Sequence, residues 1–462
     1  MMLFYSILFP FLIGFLFCFA LLKEIENPNL KFIANLGFPL GIGLSSLIFI
    51  FFNLLGFSTV FSTCIEICIL FYLLYKIKNF KQKLFQFQWF NLNNIIKSPI
   101  LMLTIIIYFY YWLLCAGIFF FESVKEPHGI FDAWGNWNLG ARFISRDPLT
   151  WSKLFNEMFA GYFHTDYPLL QKSFIARCWI ISKNETVWVP ITFAFIFTFC
   201  TIGLLTSAVA SISNKLTGLM AGLILLATPS FMCIGYSQYA DSTIGFFYLA
   251  TIILLSIARS GSRKPLLLIL AGLTAGLSTW SKNEGLIFIA CLLLSELTSL
   301  LYKNLNELKH DFKFILIGFL PVFLFVIYFK LSISPPNELF LDQTASSYLD
   351  RLLDPKRYVT VCNIFIDMLR SFGRWDLNPW WIFLFGILYK GVNFNQNRNV
   401  IFYNFTFIVL FLIALFFVYI LTPMDLIWHL NTSLHRLLFQ LFPAFIFIYF
   451  FTINNNRTKS AK

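Results

Sequence analysis

The sequence predicts an all-α polytopic membrane protein. Of its 462 residues 58% are hydrophobic and only 12% charged, with a mean hydropathy of +0.75, far from the roughly 25% charged of a soluble domain. Apolar runs of roughly 17 to 25 residues, the length that crosses a bilayer core, recur about thirteen times. The net charge of +12 would point to nucleic acid in a soluble chain. Here the basic residues sit mainly in short connections between apolar runs, where they set orientation, and no DNA- or RNA-binding module is visible.

In chain order the predicted spans are 3–22, 35–56, 58–75, 99–121, 187–211, 216–234, 240–258, 265–280, 286–302, 314–330, 379–391, 400–421 and 437–452. The first run lacks a basic n-region and a small-residue cleavage site, so it reads as a retained span. Nine cysteines lie mostly inside apolar runs without metal-ligand spacing, and packing is their expected role. Cys64 and Cys68 share a helix face. Expected organisation is 1–98, additional N-terminal helices and a basic cytoplasmic loop; 99–452, the main membrane domain with outer loops 122–186 and 331–378; and 453–462, a cytoplasmic tail.

Charge sets the orientation. Lys23 and Lys31, Lys76 through Lys97, Lys215, Arg259 to Lys264, Lys303 to Lys313, Lys390 and Arg398, and the tail Arg457, Lys459 and Lys462 fall on one side, taken as cytoplasmic. The short connections opposite hold only Lys282 and Arg436 among basic residues. The conspicuous polar clusters then share the outer face: Asp132, His164 and Asp166; Tyr239-Ala240-Asp241; Lys282-Asn283-Glu284-Gly285; and Asp425 through Arg436.

In the first long loop, Trp134, Trp137, Ala141 and Ile144 recur at helical spacing and predict a short interfacial helix. Asp132, between Phe131 and Ala133-Trp134, is placed either to act as a general base toward a hydroxyl or to cap that helix. His164 and Asp166 flank Thr165 before Tyr167-Pro168. They read as an acid/base pair, a metal pair short of ligands, or a turn. Asp241 opens an apolar span, and an ionisable group at that depth marks a site or pathway by default. Lys282 and Glu284 read as a mutual ion pair in a tight turn or, with Arg436 and His429 two helical turns before it, as a cationic pocket for a phosphate. The second outer loop carries Pro335-Pro336, Asp354-Pro355 and a Trp-rich end at Trp375, Trp380 and Trp381, and is expected to form a second cap.

Taken in order, Asp132-Ala133-Trp134, Trp137-Asn138-Leu139, Ala141-Arg142-Phe143, His164-Thr165-Asp166-Tyr167-Pro168-Leu169-Leu170, Tyr239-Ala240-Asp241, Lys282-Asn283-Glu284-Gly285, and His429-Leu430-Asn431-Thr432-Ser433 with Arg436 and Pro443 resemble the bacterial multi-pass glycosyltransferases of the GT-C class. Relatives include protein O-mannosyltransferases and aminoarabinose transferases. The resemblance spans residues 122 to 452. It implies an integral-membrane enzyme of the bacterial inner membrane, its site facing the periplasm or exterior, that moves a sugar from a polyprenyl-phosphate donor to a glycan, lipid or protein hydroxyl. Asp132 matches the catalytic loop acid; His164, Asp166, Tyr167, Asp241, Lys282, Glu284, His429 and Arg436 would bind substrate. A lipid-phosphate leaving group needs no nucleotide cofactor and no obligatory metal, and the partners are substrates and membrane lipids. This chain departs from the family in having three spans before the loop and a single acid where the mannosyltransferases carry two adjacent ones. A transporter or flippase, or a polymerase or ligase acting on lipid-linked sugars, is the rival reading; it predicts polar residues spread through several helices and repeat symmetry.

Overall fold

The computed structural model describes residues 2–22, 29–77, 98–148, 150–160, 164–260, 264–300, 304–337, 339, 343–375, 378–391 and 397–453. Lys23, Lys78 through Lys97, Arg263, Lys303 and the tail beyond Ile453, all used above for orientation, lie outside these residues. Every element described is helical: α1 (Met2–Leu22), α2 (Leu30–Leu54), α3 (Thr59–Ile77), α4 (Pro99–Lys125), α5 (Asn138–Arg146), α6 (Leu170–Ser182), α7 (Trp188–Ile212), α8 (Lys215–Leu226), α9 (Pro229–Tyr236), α10 (Ala240–Arg259), α11 (Pro265–Ser281), α12 (Glu284–Ser299), α13 (Leu305–Ser332), α14 (Ala345–Leu353), α15 (Pro355–Arg370), α16 (Trp380–Lys390), α17 (Arg398–Leu421) and α18 (Leu426–Ile453). Among the described residues nine of them are long and apolar enough to cross a membrane by themselves, and the chain is a multi-pass membrane protein.

The helices start where a polar side chain precedes an apolar run. Asn29, Ser98, Asn214 and Asn304 each accept a hydrogen bond from the first turn of α2, α4, α8 and α13, satisfying donors that have no intrahelical partner. Asp354 does the same for α15, with Pro355 at the first helical position. The predicted span 216–234 is not continuous. It is interrupted at Ala227-Thr228, where Pro229 disfavours the αR conformation for the residue before it, and becomes α8 and α9. Helices α11, α12 and α16 are shorter than the eighteen residues of a full span.

Two compact units make up the chain. The first comprises Met1–Ser152, Leu169–Ala227 and Gly235–Phe246; the second, Lys153–Pro168, Thr228–Ile234 and Phe247–Lys462.

In the first unit α1 and α2 meet glycine to glycine: a Cβ on Gly14 would lie 2.0 Å from the Gly37 carbonyl oxygen. Without hydrophobic pressure between helices in lipid, this close backbone approach supplies the packing. A wholly buried ion pair, Arg177 of α6 with Glu66 of α3, adds a polar clamp. Ser45 of α2 donates to Glu66, and Arg177 donates at 2.7 Å to the Ser6 carbonyl of α1. One guanidinium thus ties α6 to α1 and α3.

In the second unit α11 and α13 pack in register and run parallel. A Cβ on Gly272 would come 2.0 Å from the Ile315 oxygen, and one on Gly318 1.9 Å from the Ile269 oxygen. Further along, the Trp280 ring packs on Phe325 and Phe329. Because both helices advance together, Lys282 and Lys330 arrive at the same end. The second outer loop is ordered by arginines: Arg357 donates to the carbonyls of Tyr419, Ile420 and Thr422, and Arg351 to that of Leu421. These are the unpaired carbonyls of the α17 C-terminus, where a cation is favoured. At the opposite end of this unit Arg259 bonds Glu296 at 2.7 Å and Asp311 at 3.2 Å.

The cysteines divide. Cys18, Cys115, Cys178, Cys200 and Cys291 are buried as expected, whereas Cys64 and Cys68 lie on an exposed face of α3 and Cys362 is also exposed.

Candidate functional site

Asp132 follows a loop that the first unit holds tightly. Gly129 has φ +74°, and a Cβ there would come 2.5 Å from the Ala133 Cβ and 2.7 Å from the Ser237 oxygen, so only glycine fits. The Ile130 amide donates to the Ser237 oxygen at 3.3 Å, Gln238 donates to the Pro127 carbonyl at 3.2 Å, and Asn138 donates to both His128 O and Gln238 Oε1. Gln238 is itself in the left-handed region, φ +60°. The segment carrying Asp132 and the segment leading into Asp241 are therefore stitched together within six residues of the first acid and four of the second.

The capping role for Asp132 is not observed. Its backbone is helical (φ −64°, ψ −30°) and its side chain makes no cap hydrogen bond. It stands instead one residue before a π-helical turn, Ala133–Trp137, that leads into α5; such turns are rare and are frequent at functional sites. The wider turn also changes the predicted stripe: Trp137, Ala141 and Ile144 are buried, while Trp134 is 50% exposed. Trp134 lines a cleft of about 410 Å³ together with Pro127 and Leu139 on the apolar side and Glu126, His128 and Arg142 on the polar side. Arg142 donates to His128 Nδ1 at 3.3 Å and lies 3.6 Å from Glu185. Lys172 is wholly buried in this unit, its stem against Gly140 and its ammonium 5.3 Å over the Trp137 ring.

The second unit gathers most of the remaining candidates. Asp166 is buried, and its Oδ2 accepts from Asn283 at 2.6 Å and from Asn337 at 2.8 Å. Its carbonyl accepts from Lys330 and Ser334. Lys282, buried at the end of α11, pairs with Glu284 at 2.8 Å and lies 5.8 Å over the Tyr167 ring. The Tyr167 ring in turn meets His164 edge-on at 5.2 Å. The ion pair read from the spacing of Lys282 and Glu284 is thus formed, in a buried setting and not at a surface turn. His429 shares a hydrogen bond with Thr422 at 2.9 Å and feels Arg436 and Glu284 electrostatically, as Lys330 feels Asp166 and Glu284.

The structure accordingly joins Asp166, Tyr167, His164, Lys282 and Glu284, with His429 in electrostatic reach of both Glu284 and Arg436. Asp132 and Asp241 belong to the first unit. Lys330 and Asn337 were not singled out from sequence, although Lys330 ends an apolar run on the side otherwise kept poor in basic residues. Among the described residues no three His, Cys, Asp or Glu side chains come together as a metal site. The arrangement offers a fixed carboxylate, one buried and one half-buried lysine and, through His429, an arginine, which suits an anionic ligand carrying hydroxyl groups.

Comparison with family models, curated proteins and solved structures finds no match for this chain.

Proposed function

We propose that this chain is a membrane glycosyltransferase of GT-C-like architecture, with about thirteen crossings counting the broken and short helices. It would transfer a sugar from a polyprenyl-phosphate donor to an acceptor hydroxyl on the outer face of a bacterial inner membrane. The observation that supports the reading best is the hydrogen bond between Asp166 and Asn283. It joins two motifs, His164 to Pro168 and Lys282 to Gly285, that the resemblance picks out independently, and it does so beside two lysines. A transporter's polar groups would be spread along the helices, whereas these gather where α11, α12 and α13 end or begin.

In this reading Asp132 takes the proton of the acceptor hydroxyl as its oxygen attacks the anomeric carbon. The new glycosidic C–O bond forms as the bond from that carbon to the phosphate oxygen breaks, inverting the configuration. Lys282 and Arg436 stabilise the leaving polyprenyl phosphate, whose charge grows in the transition state. His164, Asp166, Tyr167, Glu284, His429 and Asp241 orient donor and acceptor.

The test is reconstitution of the purified protein with radiolabelled polyprenyl-phosphate sugars and a membrane extract as acceptor, wild type beside Asp132→Asn. Transfer by wild type, lost in the variant with donor binding retained, is the expected result. Full activity of Asp132→Asn would remove Asp132 as base, and labelled lipid crossing the bilayer without transfer would replace the enzyme by a transporter.

A further inference from the structure

Glu284 occupies an unusual position for a carboxylate. One oxygen, Oε1, bonds Lys282 at 2.8 Å; the other, Oε2, is buried with no hydrogen-bond partner. It also acts electrostatically on Lys330 and on His429, which in turn feels Arg436. Asp166, the other acid nearby, has one oxygen committed to two amides. Those contacts also orient Asn283: its NH₂ must face the Asp166 carboxylate, so its Oδ1 points away, and that oxygen too is buried without a donor. Of the two carboxylates beside Lys282 and Lys330, Glu284 is thus the one left incompletely satisfied.

A permanent structural salt bridge would be expected to satisfy both carboxylate oxygens, because a buried unbonded acceptor costs free energy. We propose that Glu284 is a resident anion: it fills the place beside Lys282 and Lys330 that a phosphate monoester or diester takes when bound, and it swings aside when that ligand enters. This deepens the reading of the site given above and rests on it for the class of ligand. Glu284 then sets the affinity for phosphate by competing for the same ammonium protons. The exchange keeps the lysines paired in both states and lets the product phosphate be displaced by the returning carboxylate.

The experiment measures binding of farnesyl phosphate, of farnesol and of inorganic phosphate to the full chain in nanodiscs of uncharged lipid, by calorimetry. Glu284→Gln keeps the shape and removes the competing charge, and should bind farnesyl phosphate roughly tenfold tighter than wild type, the scale of one charge-assisted hydrogen bond. Glu284→Asp retains the charge and should show no such gain. Lys282→Met and Lys330→Met should each weaken binding by a similar factor, and Lys282→Met combined with Glu284→Gln should lose the gain. Farnesol binding should be the same in all variants. Equal or weaker farnesyl phosphate binding by a folded Glu284→Gln protein, or binding to neither phosphate by any variant, overturns the proposal. A gain for inorganic phosphate alone upholds the resident anion and removes the polyprenyl donor. Absence of sugar transfer alongside the expected binding pattern would sink the enzyme and leave this inference standing.

Discussion

The side-chain amide of Asn283 donates to the Asp166 carboxylate at 2.6 Å across 117 residues of chain. A buried carboxylate that accepts from two amide groups is held in one orientation. Replacing either partner strands the other, so Asn283→Ala and Asp166→Ala should each lower the melting temperature. In a double-mutant cycle their effects should overlap by about 1–3 kcal/mol, the cost of leaving a buried hydrogen-bonding group without its partner. Additive effects would show that the bond does not hold the two segments together.

The Glu66–Arg177 pair is fully buried on both sides. Removing one member leaves an uncompensated charge among α1, α2, α3 and α6, a loss of about 3–5 kcal/mol, whereas replacing both with apolar residues of similar volume costs much less. Glu66→Met should therefore be severely destabilised, and Glu66→Met with Arg177→Leu should recover most of the loss on thermal unfolding in detergent. If the double variant is as unstable as the single, the pair is needed for its directed hydrogen bonds to Ser45 and the Ser6 carbonyl and not for charge balance.

Arg146 grips both oxygens of Glu185 at 2.8 Å, outside the spans. This hydrogen bonding, aided by the charges of Arg146 and Arg142, holds the Glu185 carboxyl below its ordinary range. A carboxylate whose folded pKa is depressed contributes stability above its unfolded pKa, about 4.3, and loses it as pH falls through the lower folded value. Both side chains are partly exposed, so screening limits the pair to about 0.5 kcal/mol. Arg146→Ala should melt slightly below wild type at pH 7, and the difference should close below about pH 4. A gap that widens on acidification would reverse the sign and sink this assignment.

Nine of the thirteen expected spans were legible as long apolar helices among the described residues because a membrane imposes one crude rule, a run of apolar residues, that needs no partner to be read. Local polar pairs were legible too: Lys282 and Glu284 stand two residues apart and do meet. What could not be read was any contact whose meaning depends on a distant helix. Lys330 gains its place only through the glycine-packed register of α11 and α13, and Arg177 looked like one more basic residue in a long loop until Glu66 arrived from another helix. Asp132 as a cap failed for a different reason: spacing alone assumes an α-helix, and the chain makes a π turn there.

That turn couples chain length to direction. A π turn holds about one residue more than an α turn, so the helical phase before Ala133 and the phase after Trp137 differ by one step, roughly 100° around the axis. The backbone at Asp132 faces where it does because of a surplus residue downstream. In this loop insertion and deletion are steering operations, and a chain shortened by one position between residues 133 and 137 would keep Asp132 yet aim it elsewhere.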